Sequence, residues 1–295
     1  MNFGEVLTAM VTPMDTNGNI DFPQTKNLIN HLIQNGSDGL VVAGTTGESP
    51  TLTNEEKLEL FAFTVEVVNG RVPVIAGTGS NNTRASIQLT QQAEKCGVDG
   101  IMLVTPYYNK PNQEGMYQHF KAIAEATSLP VMLYNIPGRS AAGLTVDTIV
   151  QLSQIQNIVS VKEASGDLEA MTRIIYQTDE SFTLYSGDDG LTLPVLSIGG
   201  AGVVSVSSHI FGNEMKQMVT SYRKGDVKRA AAIHQELLPM MKALFMAPSP
   251  SPVKAALQMY GLDVGGVRLP MVPLTDMERQ ALFEIIRPKL NVAVS

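Results

Sequence analysis

Asn157-Ile-Val-Ser-Val-Lys162-Glu163-Ala-Ser-Gly166 is an apolar, β-branched run that stops at a lysine and passes into a glycine turn. Such a run predicts a strand over Ile158–Lys162, with the turn punctuating its end. A lysine on the last residue of a strand stands at the mouth of a packed core, where its amine is partly desolvated and nucleophilic. The same pattern recurs along the chain, over Val6–Thr12, Gly39–Ala43, Val72–Gly77, Gly100–Val104, Val131–Asn135, Phe182–Ser186 and Val203–Val206. With Ile158–Lys162 that makes eight runs, each followed by a helical pattern. Strands alternating with helices predict βαβ units and a parallel sheet. Gly39-Leu-Val-Val-Ala43 and Val131-Met-Leu-Tyr134 are apolar almost throughout, as strands covered on both faces should be.

The intervening helices carry start and stop signals. Thr53-Asn-Glu-Glu56 reads as a capping box before Lys57–Val68. Asn82 or Thr83 opens a helix to Lys95, with Gly97 beyond its end, and Gly36 follows the helix over Gln24–Asn35. Asn17-Gly18 and Asn69-Gly70 are turn dipeptides. After about residue 208 the strand signals stop, and Asn213–Arg223, Val227–Leu244, Val253–Tyr260 and Met277–Lys289 read as helices. The expected fold is therefore α/β, a (β/α)8 barrel over residues 1–224 with a C-terminal helical domain over 225–295. The alternative is an open doubly wound sheet. It would want a glycine-rich dinucleotide loop, and Gly77-Thr-Gly79-Ser-Asn-Asn82 has Asn where the third glycine should be.

Composition narrows the function. A hydrophobic fraction of 44% with 17% charged residues fits a globular protein with a sizeable core. A net charge of −7, dispersed along the chain, argues against a nucleic-acid partner. The single cysteine, Cys96, excludes an intrachain disulfide and fits reduced, intracellular surroundings. Met1 to Met10 lacks the pattern of a signal peptide, and no apolar stretch is long enough to span a bilayer. His31, His119, His209 and His234 are too scattered for a metal site. Neither a metal nor a cofactor is expected.

In a barrel, chemistry collects at the carboxyl ends of the strands. The second strand ends in Gly44-Thr45-Thr46-Gly47-Glu48-Ser49, whose hydroxyls and amides can hold a carboxylate. The fourth ends in Thr105-Pro-Tyr107-Tyr108, adjacent tyrosines of which one can face the pocket and the other an interface. The fifth ends in Tyr134-Asn-Ile-Pro-Gly-Arg139-Ser140, a phenol able to pass protons and, on the loop beyond, an arginine able to fork onto a carboxylate. The sixth delivers Lys162, whose bland alternative is an ion pair with Glu163 or Asp167. The seventh ends in Ser186-Gly187-Asp188-Asp189, where Asp189 reads most simply as a helix N-cap. Together these residues support Schiff-base formation with a ketone, then making or breaking of a carbon–carbon bond through an enamine. Tyr134 is the natural proton carrier, with a hydroxyl relay behind it.

Gly44-Thr-Thr-Gly-Glu-Ser49, Tyr134-Asn-Ile-Pro-Gly-Arg-Ser140 and Val161-Lys-Glu-Ala-Ser-Gly166 together resemble the dihydrodipicolinate synthase family. This belongs to the pyruvate-dependent class I aldolases, which include N-acetylneuraminate lyase. The likeness runs through nearly the whole chain and includes Pro252-Val-Lys254 and Val267-Arg-Leu-Pro-Met271. It implies that Lys162 forms the Schiff base with pyruvate, that Tyr134 is the general acid/base, and that Thr45 links Tyr134 to Tyr108 of a neighbouring subunit. It further implies that Thr46 holds the pyruvate carboxylate, that Arg139 receives the carboxylate of L-aspartate 4-semialdehyde, and that Gly187 and Val204 give main-chain contacts. The implied product is 4-hydroxy-tetrahydrodipicolinate, made on the way to diaminopimelate and lysine by a cytoplasmic homotetramer, a dimer of dimers. Sialic-acid lyases resemble the chain at the lysine and tyrosine but lack the Thr-Thr pair and the arginine. A catalytically silent barrel would have lost the lysine or the tyrosine, and a phosphate-binding barrel would want a basic partner that the seventh and eighth strand ends do not offer. One departure stands out. The family's lysine-effector site keeps Ser49, Asn81 and Tyr107 here, but Asn54 and Lys57 stand near its histidine places and Ala85 takes its acidic one. A site that gains a cation and loses an anion should bind a cationic amino acid poorly.

Overall fold

The computed structural model describes residues 3–290. Its eight strands are β1 (Val6–Ala9), β2 (Gly39–Val42), β3 (Val74–Gly77), β4 (Gly100–Val104), β5 (Val131–Asn135), β6 (Ile158–Glu163), β7 (Thr183–Ser186) and β8 (Gly202–Ser205). They pair in parallel in chain order and close on themselves, β8 against β1. The open sheet is thereby ruled out. Every second residue points inward, and Leu7, Val41, Ile75, Met102, Met132 and Val204 fill the barrel with Tyr134 and Tyr185. The alternate residues face the helices, in a second and larger apolar layer. Burial of each such aliphatic side chain stabilises by about 1.5–3 kcal/mol, so two filled layers, rather than the turns, hold the strand ends in place.

The surrounding helices are α1 (Phe22–Gln34), α2 (Asn54–Val68), α3 (Thr83–Lys95), α4 (Gln113–Ala124), α5 (Pro137–Ser140), α6 (Val146–Leu152), α7 (Leu168–Gln177), α8 (Thr192–Ser197) and α9 (Ser208–Arg223). The capping box of α2 is complete, with Thr53 and Glu56 each bonding the other's backbone. Asn82 caps α3 by accepting from Ala85 N–H. Beyond the barrel lie α10 (Val227–Ala243), α11 (Ser251–Tyr260) and α12 (Asp276–Ile286). α10 packs on α9 and on the turn after β7, and α11 packs on α9 and α12. The expected helical domain ends in residues 291–295, which lie outside the described residues.

Element limits differ from expectation in places, and at three of them the reason is plain. β1 leaves the ladder at Ala9 although Met10 and Val11 remain buried, because Val11 N–H donates to the His209 ring, Nε2, at 3.1 Å. That imidazole is fully buried and its pKa is pushed down to about 4 by desolvation. α9 starts at Ser208, before the expected Asn213, with non-helical angles at Phe211 marking the kink between its two parts. The loop carrying Arg139 is one turn of helix, α5, with Pro137 at its start and the Ser140 hydroxyl donating to Ile136 O at 2.8 Å.

Candidate active site

Parallel pairing aligns Tyr134 with Lys162 across β5 and β6, and Lys162 with Tyr185 across β6 and β7. Paired residues share a face, so all three side chains enter the barrel. Lys162 is 5% exposed, and its Nζ lies 4.1 Å from the centroid of the Tyr134 ring. That is a cation–π distance. Among the described residues Lys162 makes no ion pair. The expected alternative partners are engaged elsewhere. β6 runs one residue further than expected, and alternation turns Glu163 to the outer face. There its carboxylate accepts from Asn135 Nδ2 and Ser165 N–H, both at 2.8 Å, while burial raises its pKa. Asp167 caps α7, accepting from Ala170 N–H at 2.9 Å.

The two tyrosines beside Lys162 divide their roles by direction. Tyr185 sends its hydroxyl down to Gly4 O, 3.0 Å away near the start of β1, and burial pushes its pKa up to about 12. Tyr134 faces a cavity of about 240 Å³ that is also lined by Gly44, Thr45, Ser49, Tyr107, Arg139 and Ser140. Thr46 is buried beside it in the same loop. Thr45 and Tyr134 share this cavity without a direct hydrogen bond among the described residues. A second cleft, about 520 Å³, opens between the strand ends and α10, lined by Gly187, Asp188, Leu238, Met241, Lys242 and Phe245. Ile136 and Arg139 border both spaces, so an extended ligand could reach from one to the other.

Of the adjacent tyrosines, Tyr107 lines the cavity, and Asn81 Nδ2 donates to its carbonyl at 3.1 Å. Tyr108 does not enter the cavity of its own chain. It is 88% exposed, with φ 71° turning the backbone so that its phenol projects outward. Val204 lies in the inner layer of the barrel. Gly187 donates its N–H to Glu163 O at 2.7 Å, and a Cβ there would lie 2.6 Å from Ala164 Cβ, so the strand end closes only around a glycine.

Three acidic residues do what their sequence context did not reveal. Asp188, not Asp189, caps the short turn after β7, accepting from Gly190 N–H at 2.8 Å. Asp189 is buried and crosses to β8, where it accepts from Val206 N–H, Ser207 N–H and the Ser207 hydroxyl. Glu48, in the Thr-Thr loop, has left-handed backbone angles and turns its carboxylate away from the cavity to Lys254, 2.7 Å away. A non-glycine residue held there costs about 1–2 kcal/mol, which the surrounding bonds must offset. Arg268 adds its backbone N–H to Glu48 at 2.9 Å, while its guanidinium binds Thr51 O, Gly18 O and the Glu56 carboxylate. The signal for Lys254 was a lone charge between Pro252-Val253 and Ala255-Ala256-Leu257, an apolar setting in which a lysine needs a partner.

Among the described residues no group of three or more His, Cys, Asp or Glu side chains could hold a metal ion, and no helix is long and apolar enough to cross a membrane. The model of the dihydrodipicolinate synthetase family matches residues 2–289. The 4-hydroxy-tetrahydrodipicolinate synthase of Bacillus subtilis strain 168 is 65% identical over 287 residues, covering 97% of this chain and 99% of that protein. A crystal structure of dihydrodipicolinate synthase from Bacillus anthracis superposes with a TM-score of 0.96 at 59% identity, over 99% of each chain. The synthase of Cyanidioschyzon merolae, solved with lysine bound, superposes with a TM-score of 0.95 at 47% identity, over 97% of each chain. A closed parallel barrel, a buried lysine stacked on a tyrosine at its mouth, and a match over almost the full length agree: the chain belongs to the dihydrodipicolinate synthetase family.

Proposed function

We propose that the chain catalyses the Schiff-base aldol condensation of pyruvate with L-aspartate 4-semialdehyde to 4-hydroxy-tetrahydrodipicolinate, in diaminopimelate and lysine biosynthesis. The observation that carries this reading is the Lys162 amine, buried at the barrel mouth against Tyr134 and without a carboxylate partner among the described residues. The amine adds to the keto carbon of pyruvate and expels water, forming an iminium. Thr46 and nearby backbone hold the pyruvate carboxylate. The iminium draws electrons from the neighbouring methyl, which loses a proton and becomes an enamine nucleophile. That carbon attacks the aldehyde of the second substrate, whose carboxylate Arg139 receives where the two spaces meet. Tyr134 moves the protons, with Thr45 behind it. The amine brought by the semialdehyde then adds to the iminium carbon and displaces the Lys162 amine, closing the ring with no further loss of water.

Gly187 and Val204 contribute main-chain contacts in this reading. Tyr108 completes the proton relay from a second copy, which its outward projection in a single chain favours, and the assembly is a homotetramer working in the cytoplasm. The chain divides at 224/225 into the barrel and a helical domain. The residues Ser49, Asn81 and Tyr107 form an effector site that has lost its sensitivity, since Lys57 adds a cation near it and Ala85 supplies no anion. Assays across a wide range of L-lysine should leave the rate little changed; strong inhibition below 1 mM, on the order of the affinity of a working site, would contradict this.

The central test is borohydride reduction in the presence of pyruvate, followed by peptide mapping. The expected result is one stable adduct, on Lys162. An adduct on another lysine, or faster turnover of N-acetylneuraminate than of aspartate semialdehyde, would refute the assignment.

A further inference from the structure

The Thr45-Thr46 loop is held from two sides. On the barrel side the Thr12 hydroxyl donates to Gly47 O at 2.7 Å. On the other, Glu48 reaches into the C-terminal helices. One carboxylate oxygen lies 2.7 Å from Lys254 Nζ and the other accepts the Arg268 N–H. Lys254 also donates to Gly266 O at 2.6 Å, so a single ammonium joins α11, the segment leading to Arg268 and the loop. Both charged side chains are almost completely buried, at 3% and 2% exposure.

A buried ion pair is a poor source of stability, because desolvation offsets much of the attraction and an apolar pair of similar size does as well. Its distinctive property is to penalise every other arrangement, since any shift strands a charge away from water. Here the fixed arrangement is that of a loop whose Glu48 backbone is left-handed, two residues from Thr46. The Glu48 carboxylate is taken up by Lys254 and the Arg268 N–H, and Lys254 by Glu48 and Gly266 O, so the pair acts on the loop rather than on a substrate.

We propose that the Glu48–Lys254 pair is a positioning device for the reaction, through which the C-terminal helices hold Thr45 and Thr46 against the pyruvate carboxylate. This rests on the assignment of 2-oxo acid chemistry to Lys162. Arg139 stands on α5, outside the clamp, so recognition of the semialdehyde is independent of it. Loosening the clamp weakens pyruvate binding and slows the chemistry, while the second substrate is bound as before.

The test is the double variant Glu48→Gln with Lys254→Met, which removes both charges at nearly constant volume and so avoids a stranded one. Rates are normalised to the active sites counted by borohydride-reduced adduct. The pyruvate half-saturation is expected to rise about tenfold with a lower kcat, while that for the semialdehyde stays within about twofold. Glu48→Gln alone, which keeps an acceptor for Arg268 N–H, should move pyruvate in the same direction by about threefold. Lys254→Arg, which keeps the pair, should restore values near the parent. Parent-like pyruvate half-saturation in either folded Glu48 variant would overturn the proposal and leave the pair a scaffold contact. If the parent itself traps no pyruvate, the failure lies with the Lys162 assignment instead.

Discussion

Lys162 and Lys254 are both nearly sealed from solvent, at 5% and 2% exposure, yet they occupy opposite electrostatic settings. Lys254 has a carboxylate at 2.7 Å and a carbonyl at 2.6 Å. Burial lowers its pKa and Glu48 opposes that shift, while both contacts hold the amine in the seam between barrel and C-terminal helices. Lys162 has the face of a tyrosine that itself lines an open cavity. The difference teaches that burial alone does not mark a nucleophile. What matters is whether an anion already claims the amine, and alternation along β6 removes the nearest one by turning Glu163 outward.

The comparison breaks most visibly if Lys162 is replaced. Lys162→Ala should lower kcat by about four orders of magnitude or more and abolish the borohydride adduct. It removes a buried amine without stranding a partner, so thermal denaturation should place its melting temperature within about 2 °C of the parent or above it. Residual trapping at another lysine would erase the distinction between the two sites.

Tyr134→Phe sharpens the same contrast from the other side of the amine. It keeps the ring under Nζ and removes only the hydroxyl. Adduct formation should persist while steady-state turnover falls about a hundredfold or more, the usual contribution of a positioned acid or base. Removing the Tyr185 hydroxyl should not reproduce this, because that group is tied to Gly4 O at the other end of the barrel. Equal losses from the two phenols would show that direction within the barrel does not assign the role.

These distinctions were unequally legible in the sequence. β4 and β5 follow the predicted limits because their apolar runs end at turn residues on both sides. Lys162, Tyr134 and Thr45 could be brought to one mouth by counting strands, since parallel strands deliver their carboxyl ends to one face. Which of Tyr107 and Tyr108 enters the cavity could not be read, because it is decided by a positive φ at Tyr108. Asp188 and Asp189 are indistinguishable neighbours in the chain. Only the packing of β7 beside β8 sends Asp189 to the Val206 and Ser207 amides. Glu48 and Lys254 are separated by most of the barrel in sequence, and such pairing leaves no local pattern beyond an isolated lysine among apolar residues.

That isolated lysine yields the prediction with the most direct bearing on the comparison, read in stability rather than in rate. Lys254→Ala leaves Glu48 buried without its counter-charge, and breaking a buried pair from one side costs about 3–5 kcal/mol. Urea denaturation should show the loss as a lower midpoint with an unchanged slope, provided the unfolded chain is equally exposed. The two lysines would then separate along two axes: replacing one removes the chemistry and spares the fold, while replacing the other weakens the fold and leaves an amine at the barrel mouth still able to capture pyruvate. If Lys254→Ala unfolds no more readily than Lys162→Ala, the carboxylate at 2.7 Å contributes nothing net, and the contrast between a claimed and an unclaimed amine loses its energetic basis.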